Sequence, residues 1–435
     1  MENRKTSLLY RCVKSYIGAM VNGLYYRRYY CLDTDNIPPD GTPVLIAMNH
    51  HCGLNDALGV LFAMNDRKVH FIARADAFDI HPLLKKFMLW VGILPAFRMM
   101  YQGEESLSKN DETFALTEQR LLDGHTVLIF PEVRHLLVSY MRPFSYGYTK
   151  MAFQAAEKDG FQKEIFILPG CNHYSAYGGF RNQILVRFGT PVSLQPYYEL
   201  YKTKPRTAQR EVNKLVRAQV SALMLDIKDA DRYDDIEFAR RSAFCDDYAR
   251  SKGLDPEQLP QKLEAEKRLC ACLEGQDLAS VKAYREALAA SGLEDRQLAS
   301  PPDWFTQILK CLILLITLPV AVLAAWPALP AWFIPWHFTK KVGDPALEGS
   351  FTLGIDVLVL MPLAAILTFC CTGALLGWQY GLIHVVAIPF LCIFEWYYAR
   401  MARETFADFR FLRTNTQDLQ ALYRQAISTL KTLTK

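Results

Sequence analysis

Between Gly41 and Leu200, short β-type apolar runs alternate with segments whose apolar positions recur at helical spacing. Val44–Met48, Val69–Ala73, Ile93–Phe97, Thr126–Phe130, Ile165–Leu168 and Ile184–Phe188 predict strands. Leu54–Met64, His81–Val91, Asp111–Leu122 and Tyr146–Glu157 predict the helices between them. Such alternation implies an α/β domain, a mixed and largely parallel sheet flanked by helices on both faces.

The pattern changes on either side. Up to about Pro39, Leu8, Leu9, Val13, Tyr16, Ile17 and Met20 recur at helical spacing among Arg4, Lys5, Arg11, Lys14, Arg27 and Arg28. A basic, aromatic-rich amphipathic helix suits a membrane interface; an ordinary packed helix is the alternative. From about Thr203 to Ser300 the chain is charged and helical in pattern, with an apolar stripe of Val212, Leu215, Val216, Val220, Leu223 and Met224. Cys311 to Trp336 holds no charge but is interrupted by Pro319, Pro327, Pro330 and Pro335. One span needs about 20 apolar residues, so this run predicts a re-entrant or broken hairpin at about 308–336. Val357–Leu376 and Tyr380–Phe394 predict two spans joined at Gly377-Trp378-Gln379. Lys310, Lys340, Lys341, Arg400 and Arg403 flank these runs and assign that side to the cytoplasm. The expected order is an interfacial helix (1–40), a catalytic domain (41–200), a charged helical spacer (201–303), a membrane region (304–400) and a basic helical tail (401–435). Within the membrane region the two later helices fall at about 355–376 and 379–398.

Composition sharpens this. The 435 residues are 51% hydrophobic with a mean hydropathy of +0.02, an excess that sits mostly between Trp304 and Tyr398. A net charge of +4, without a basic run interleaved with aromatics, argues against a nucleic-acid partner. Eleven cysteines without C-x-x-C spacing imply free thiols in a reducing compartment and no metal site. The first 30 residues lack the apolar core and cleavage site of a signal peptide, so the catalytic part is expected on the cytoplasmic face.

Candidate chemistry lies at strand ends. His51 and Asp56, in Met48-Asn49-His50-His51-Cys52-Gly53-Leu54-Asn55-Asp56, are spaced so that the carboxylate can orient the imidazole as a general base. Pro131-Glu132, followed by Val133, Arg134 and His135, places a carboxylate after the strand ending at Phe130. Gly92 through Arg98 is a strand ending on an arginine suited to a phosphate. Ile167-Leu168-Pro169-Gly170-Cys171-Asn172 runs a strand into a turn. Each feature alone reads first as a turn at a strand end. Arg74 is a weaker phosphate candidate and His173 a turn residue.

In this order the four features resemble the motifs of the glycerophospholipid acyltransferase superfamily, which includes lysophosphatidic acid and glycerol-3-phosphate acyltransferases. His51 and Asp56 match its first motif, with His50 where asparagine is usual; Gly92 and Arg98 match the second. Phe130-Pro131-Glu132 matches the third with Val133 for glycine, and Ile167-Leu168-Pro169 the fourth. The Lys109–Phe114 stretch and the C-terminal apolar helices look most like the longer glycerol-3-phosphate/dihydroxyacetone-phosphate branch. The resemblance implies His51 as base and Asp56 as its orienting group. It gives Arg98, with Arg134, to the acceptor phosphate, Glu132 with Gly92 and Pro131 to the acceptor pocket, and Pro169 to the donor side. It implies no cofactor and no metal, with acyl-CoA or acyl-carrier protein as co-substrate and membrane lipids as partners. The expected activity is acyl transfer to glycerol-3-phosphate or 1-acylglycerol-3-phosphate. A different hydroxyl-bearing lipid acceptor, or a non-catalytic lipid-binding protein, remains the alternative.

Overall fold

The computed structural model describes residues 7–65, 67–74, 78, 81–96, 113–132, 135–177 and 179–435. They divide into two compact units, Met1–Gly23, Arg28–Gly178 and Asn182–Met224 against Leu24–Arg27, Gly179–Arg181 and Leu225–Lys435.

The first unit is built on β1 (Arg28–Leu32), β2 (Val44–Met48), β3 (Val69–Arg74), β4 (Ile93–Ala96), β5 (Thr126–Ile129), β6 (Phe166–Tyr174), β7 (Gln183–Phe188) and β8 (Val192–Ser193). Their order is β1-β7-β6-β2-β5-β3-β4, with β8 beside β6. Every pairing is parallel except those of β6 with β7 and β8. All five residues of β2 are buried, the sign of a central strand covered on both faces. The helices are α1 (Leu8–Gly18), α2 (Gly53–Ala63), α3 (Pro82–Val91), α4 (113–122), α5 (Gly147–Lys158), α6 (Tyr198–Thr203) and α7 (Pro205–Leu223). On one face α5 and α7 bury Met151, Ala155, Val212 and Val216 against Leu45, Ala47, Val127 and Ile167. On the other α2 lies on β7, so close that a Cβ on Gly59 would meet Ile184 at 3.0 Å.

Two expectations are corrected here. The interfacial helix does not run to residue 40: α1 ends at Gly18, a π-helical turn follows over Ala19–Tyr25, and Arg28–Leu32 pairs with β7. The Tyr-Tyr-Cys-Leu run found an open strand edge, which propensity within one segment does not reveal. β6 runs through Pro169 to Tyr174 instead of turning there. Pro169 falls in the gap where β6 exchanges β8 for β7 as neighbour, and its carbonyl, on that side, accepts from the Gly189 N–H at 2.8 Å. A missing N–H therefore costs no ladder bond.

The second unit is helical: α8 (Tyr233–Arg241), α9 (Ala243–Ser251), α10 (Leu259–Leu273), α11 (Ala279–Ser291), α12 (Asp295–Ala299), α13 (Trp304–Val342), α14 (Glu348–Phe351), α15 (Met361–Leu376), α16 (Trp378–Arg413) and α17 (Gln417–Leu433). Three helical stretches are long and apolar enough to cross a membrane: Trp304–Trp326, Pro345–Leu376 and Trp378–Arg413. The predicted re-entrant segment is not formed. α13 is a single helix of 39 residues, roughly 58 Å long. Its prolines each remove one hydrogen bond, yet no Gly, Asn or Asp between them lets the chain reverse before Gly343, at φ 73°. Gly377, at φ 107°, breaks α15 from α16 where the sequence predicts it. The two helices then cross closely, since a Cβ on Gly381 would lie 2.8 Å from the Phe369 carbonyl.

Candidate active site

The carboxyl edge of the parallel strands gathers the candidate residues. β2 ends at Met48, and the fully buried Asn49 carries its pairing one step further through its side chain. Its Nδ2 donates to the Asn172 carbonyl at 3.0 Å, and its Oδ1 accepts from the Asn172 N–H at 2.8 Å. The Asn172 side chain in turn donates to the Asp56 carbonyl at 3.2 Å. The chain then winds over the start of α2, where Asp56 occupies the first turn.

Asp56 is fully buried and its carboxylate organises the loop. Oδ2 accepts from the backbone N–H of His51 at 2.7 Å and of Cys52 at 2.9 Å, and from Nδ1 of His50 at 2.8 Å. Oδ1 accepts from the Tyr174 hydroxyl at 2.6 Å. Burial alone pushes its pKa up, but the hydrogen bond and charge of His50, the charge of His51 and the Tyr174 hydroxyl outweigh this and hold it below the usual value. Asp56 is therefore an anion.

The imidazole on that anion belongs to His50, not His51. Five-residue spacing brings position 51 to the carboxylate through its backbone N–H, which sends its ring the other way. The His51 ring is buried, its Nδ1 lies 3.1 Å from the Leu136 carbonyl, and it tilts against Tyr177 at 5.2 Å. Burial, only partly opposed by Asp56, lowers its pKa to about 4, so it is neutral near pH 7. The His50 ring stays partly exposed, stacks on Phe130 with centroids 4.2 Å apart and meets His135 edge-on at 5.4 Å. A carboxylate at Nδ1 makes that nitrogen the N–H and leaves Nε2 the basic lone pair.

The loop after β5 holds His50 from the opposite side. The His50 N–H donates to Glu132 Oε2 at 3.1 Å, and its carbonyl accepts from the Leu136 N–H at 3.3 Å. Pro131 is buried, and its carbonyl accepts from the Ser145 N–H at 2.9 Å. Glu132 is only 5% exposed, with Arg142 Nη1 at 3.9 Å. Burial raises its pKa to about 7, against the opposing pull of the His50 N–H and Arg142.

Among the other expected residues, Gly92 stands apart. It ends α3 in the left-handed region at φ 100° and precedes β4, at the amino edge of the sheet. A Cβ there would press on the Val69 carbonyl at 3.1 Å, so its role is to close a turn. Pro169 sits within β6 opposite Ala47, short of the Asn49–Asn172 clamp. Arg98, Arg134, Val133 and most of 109–114 lie outside the described residues, and Arg74 ends β3. Asn49, Asn172 and Tyr174 carried no assigned role from sequence. The last two share a face of β6 by the two-residue strand period, a signal lost once Pro169-Gly170 is read as a turn. Among the described residues no group of three or more His, Cys, Asp or Glu could hold a metal ion.

Residues 29–171 match the family model described as Acyltransferase. The matched stretch contains all but the first residue of β1, then β2 to β5 and the first part of β6, with His50, His51, Asp56, Glu132 and Pro169. The comparison with curated proteins gives no match. Among solved structures, the chain is similar to the crystal structure of the 1-acyl-sn-glycerophosphate (LPA) acyltransferase, PlsC, from Thermotoga maritima. That likeness has 12% identity and a TM-score of 0.33, over 49% of this chain and 81% of that one. The family match supports an acyltransferase-type domain in the first unit.

Proposed function

We propose that this chain is a membrane-bound O-acyltransferase that moves a fatty acyl group from acyl-CoA or acyl-carrier protein to glycerol-3-phosphate or 1-acylglycerol-3-phosphate. The observation that carries the reading is the 2.8 Å contact between Nδ1 of a partly exposed His50 and the buried Asp56 carboxylate, at the sheet's carboxyl edge. Three helical stretches long and apolar enough to cross a membrane suit an enzyme whose acceptor or product is a lipid.

In this mechanism Nε2 of His50 takes the proton from the acceptor hydroxyl as its oxygen attacks the thioester carbonyl carbon. Asp56 holds the ring and stabilises the imidazolium that forms. The tetrahedral oxyanion lies near the start of α2, whose first backbone N–H groups and dipole favour negative charge. On collapse the carbon–sulfur bond breaks, and the departing thiolate takes the proton back from His50. His51 is assigned a positioning role, anchoring the loop through Leu136. Arg98 and Arg134 take the acceptor phosphate, Glu132 with Pro131 shapes the acceptor side, and Pro169 lies toward the donor.

The test is acyl transfer from labelled acyl-CoA on membranes, with glycerol-3-phosphate and 1-acylglycerol-3-phosphate compared as acceptors. His50→Ala is expected to lose on the order of 10³-fold in kcat, and His51→Ala about tenfold. Arg98→Ala is expected to raise KM for the acceptor with little change in KM for the donor. Wild-type turnover in His50→Ala removes the mechanism, and the reverse ranking of the two histidine variants moves the base to His51.

A further inference from the structure

We infer that α1 and α3 together form a foot that rests on an anionic bilayer surface, a contact separate from the membrane-spanning helices. Among the described residues of the first unit, the three most exposed large apolar side chains are Leu8 (76%), Leu83 (69%) and Leu9 (64%). They come from helices more than 60 residues apart in sequence that touch in space: Tyr10 meets Trp90 edge-on at 5.8 Å, and Lys68 lies over the same Tyr10 ring. Single exposed leucines are ordinary; these three stand on two helices that meet at Tyr10 and Trp90, with Leu83 two turns before Trp90 on the same side of α3.

The charges select the occupant. α1 carries Arg11 and Lys14, α3 carries Lys85 and Lys86, and neither holds an acid. Arg11, Lys85 and Lys86 are exposed. Lys is depleted at protein–protein interfaces, whereas lysine and arginine flanking an apolar face are what an anionic lipid surface attracts. Beside Arg11 and Lys14 opens a cavity of about 340 Å³, also lined by Ser15, Asn22 and Phe62. The Lys14 ammonium donates to the Asn65 and Arg67 carbonyls, so the exposed Arg11 guanidinium and Ser15 hydroxyl are the donors offered to a lipid phosphate at the edge of the foot. The start of α3 is open to solvent, with Pro82, Leu83, Lys85 and Lys86 all exposed.

Hydrogen–deuterium exchange on the full chain tests this, in nanodiscs of phosphatidylcholine with and without phosphatidylglycerol. Amides of both α1 and α3 are expected to exchange roughly tenfold more slowly with phosphatidylglycerol, since each cation near such a surface contributes about that order. The double change Lys85→Glu with Lys86→Glu is expected to abolish this in both helices, while α5 and α7 stay protected. If α5 and α7 also open, Leu83→Ser gives the same reading without charge reversal. Equal exchange in both lipids, or slowing of α1 alone, overturns the inference. Equal slowing by inorganic phosphate in phosphatidylcholine discs also overturns it, by assigning the cavity to a free anion.

Discussion

Two pairs of histidines stand at opposite edges of one sheet, and His50 and His70 have opposite fates. At the carboxyl edge His50 and His51 are wired into Asp56, Glu132 and Leu136 by hydrogen bonds. At the amino edge His70, near the start of β3, meets His125, just before β5, with centroids 5.0 Å apart. His70 is only 2% exposed, and burial with the charges of His125, Arg120 and Lys68 outweighs a hydrogen bond to the Gly92 backbone and lowers its pKa to about 3. An imidazole becomes a base only where an acceptor fixes one nitrogen and stabilises the cation. Where burial outweighs such contacts the ring stays neutral.

Asp56→Asn attacks this contrast most directly. It removes the charge that distinguishes the carboxyl edge, and transfer is expected to fall by roughly 10²- to 10³-fold, no further than in His50→Ala, since the carboxylate acts through that ring. His70→Leu is expected to keep turnover within about twofold. If His70→Leu were equally inactive, the two edges would not differ in the way described.

Acid should reveal the second difference. The folded-state pKa of His70 is depressed from 6.5 to about 3, so its contribution to stability is present above pH 6.5 and is lost as pH falls toward 3. His51, depressed to about 4, acts with the same sign. With each pKa unit near 1.4 kcal/mol, His70→Leu is expected to relieve about 3 kcal/mol of acid sensitivity by pH 4. Melting curves between pH 7 and pH 4 measure it, and parallel curves for the two proteins refute it. Glu132 has the opposite sign. Raised from 4.5 to about 7, it contributes stability below pH 4.5 that is lost as pH rises through 7. Glu132→Gln, which keeps an acceptor for the His50 N–H, should therefore gain stability over wild type between pH 5 and pH 8, by up to about 3 kcal/mol.

The smallest effect sharpens the carboxyl edge itself. Tyr174→Phe deletes one of the hydrogen bonds that the Asp56 carboxylate accepts, the 2.6 Å contact to Oδ1. A hydrogen bond to a charged group is worth about 1.5–3 kcal/mol, so turnover should drop about tenfold with acceptor KM little changed. An unchanged pH–rate profile and kcat would show that Asp56 does not need this donor.

Periodicity was enough to read the alternating strands and helices, the charged helical stretch and the apolar C-terminal helices, because burial on one face or all faces leaves its mark residue by residue. The order of candidate residues along the chain also pointed to the acyltransferase resemblance, and residues 29–171 match that family model. Spacing could not say which histidine turns its ring to Asp56, since side-chain direction follows from how the loop wraps the carboxylate. Nor could it carry β6 past Pro169 to deliver Asn172 and Tyr174, because the tolerance for proline came from a gap between two neighbouring strands. Four prolines in α13 looked like a reversal, yet a helix turns back only where the chain can adopt a turn, and none is available before Gly343. Local pattern determined what each segment could be, and contacts between segments distant in sequence decided which of those possibilities was formed.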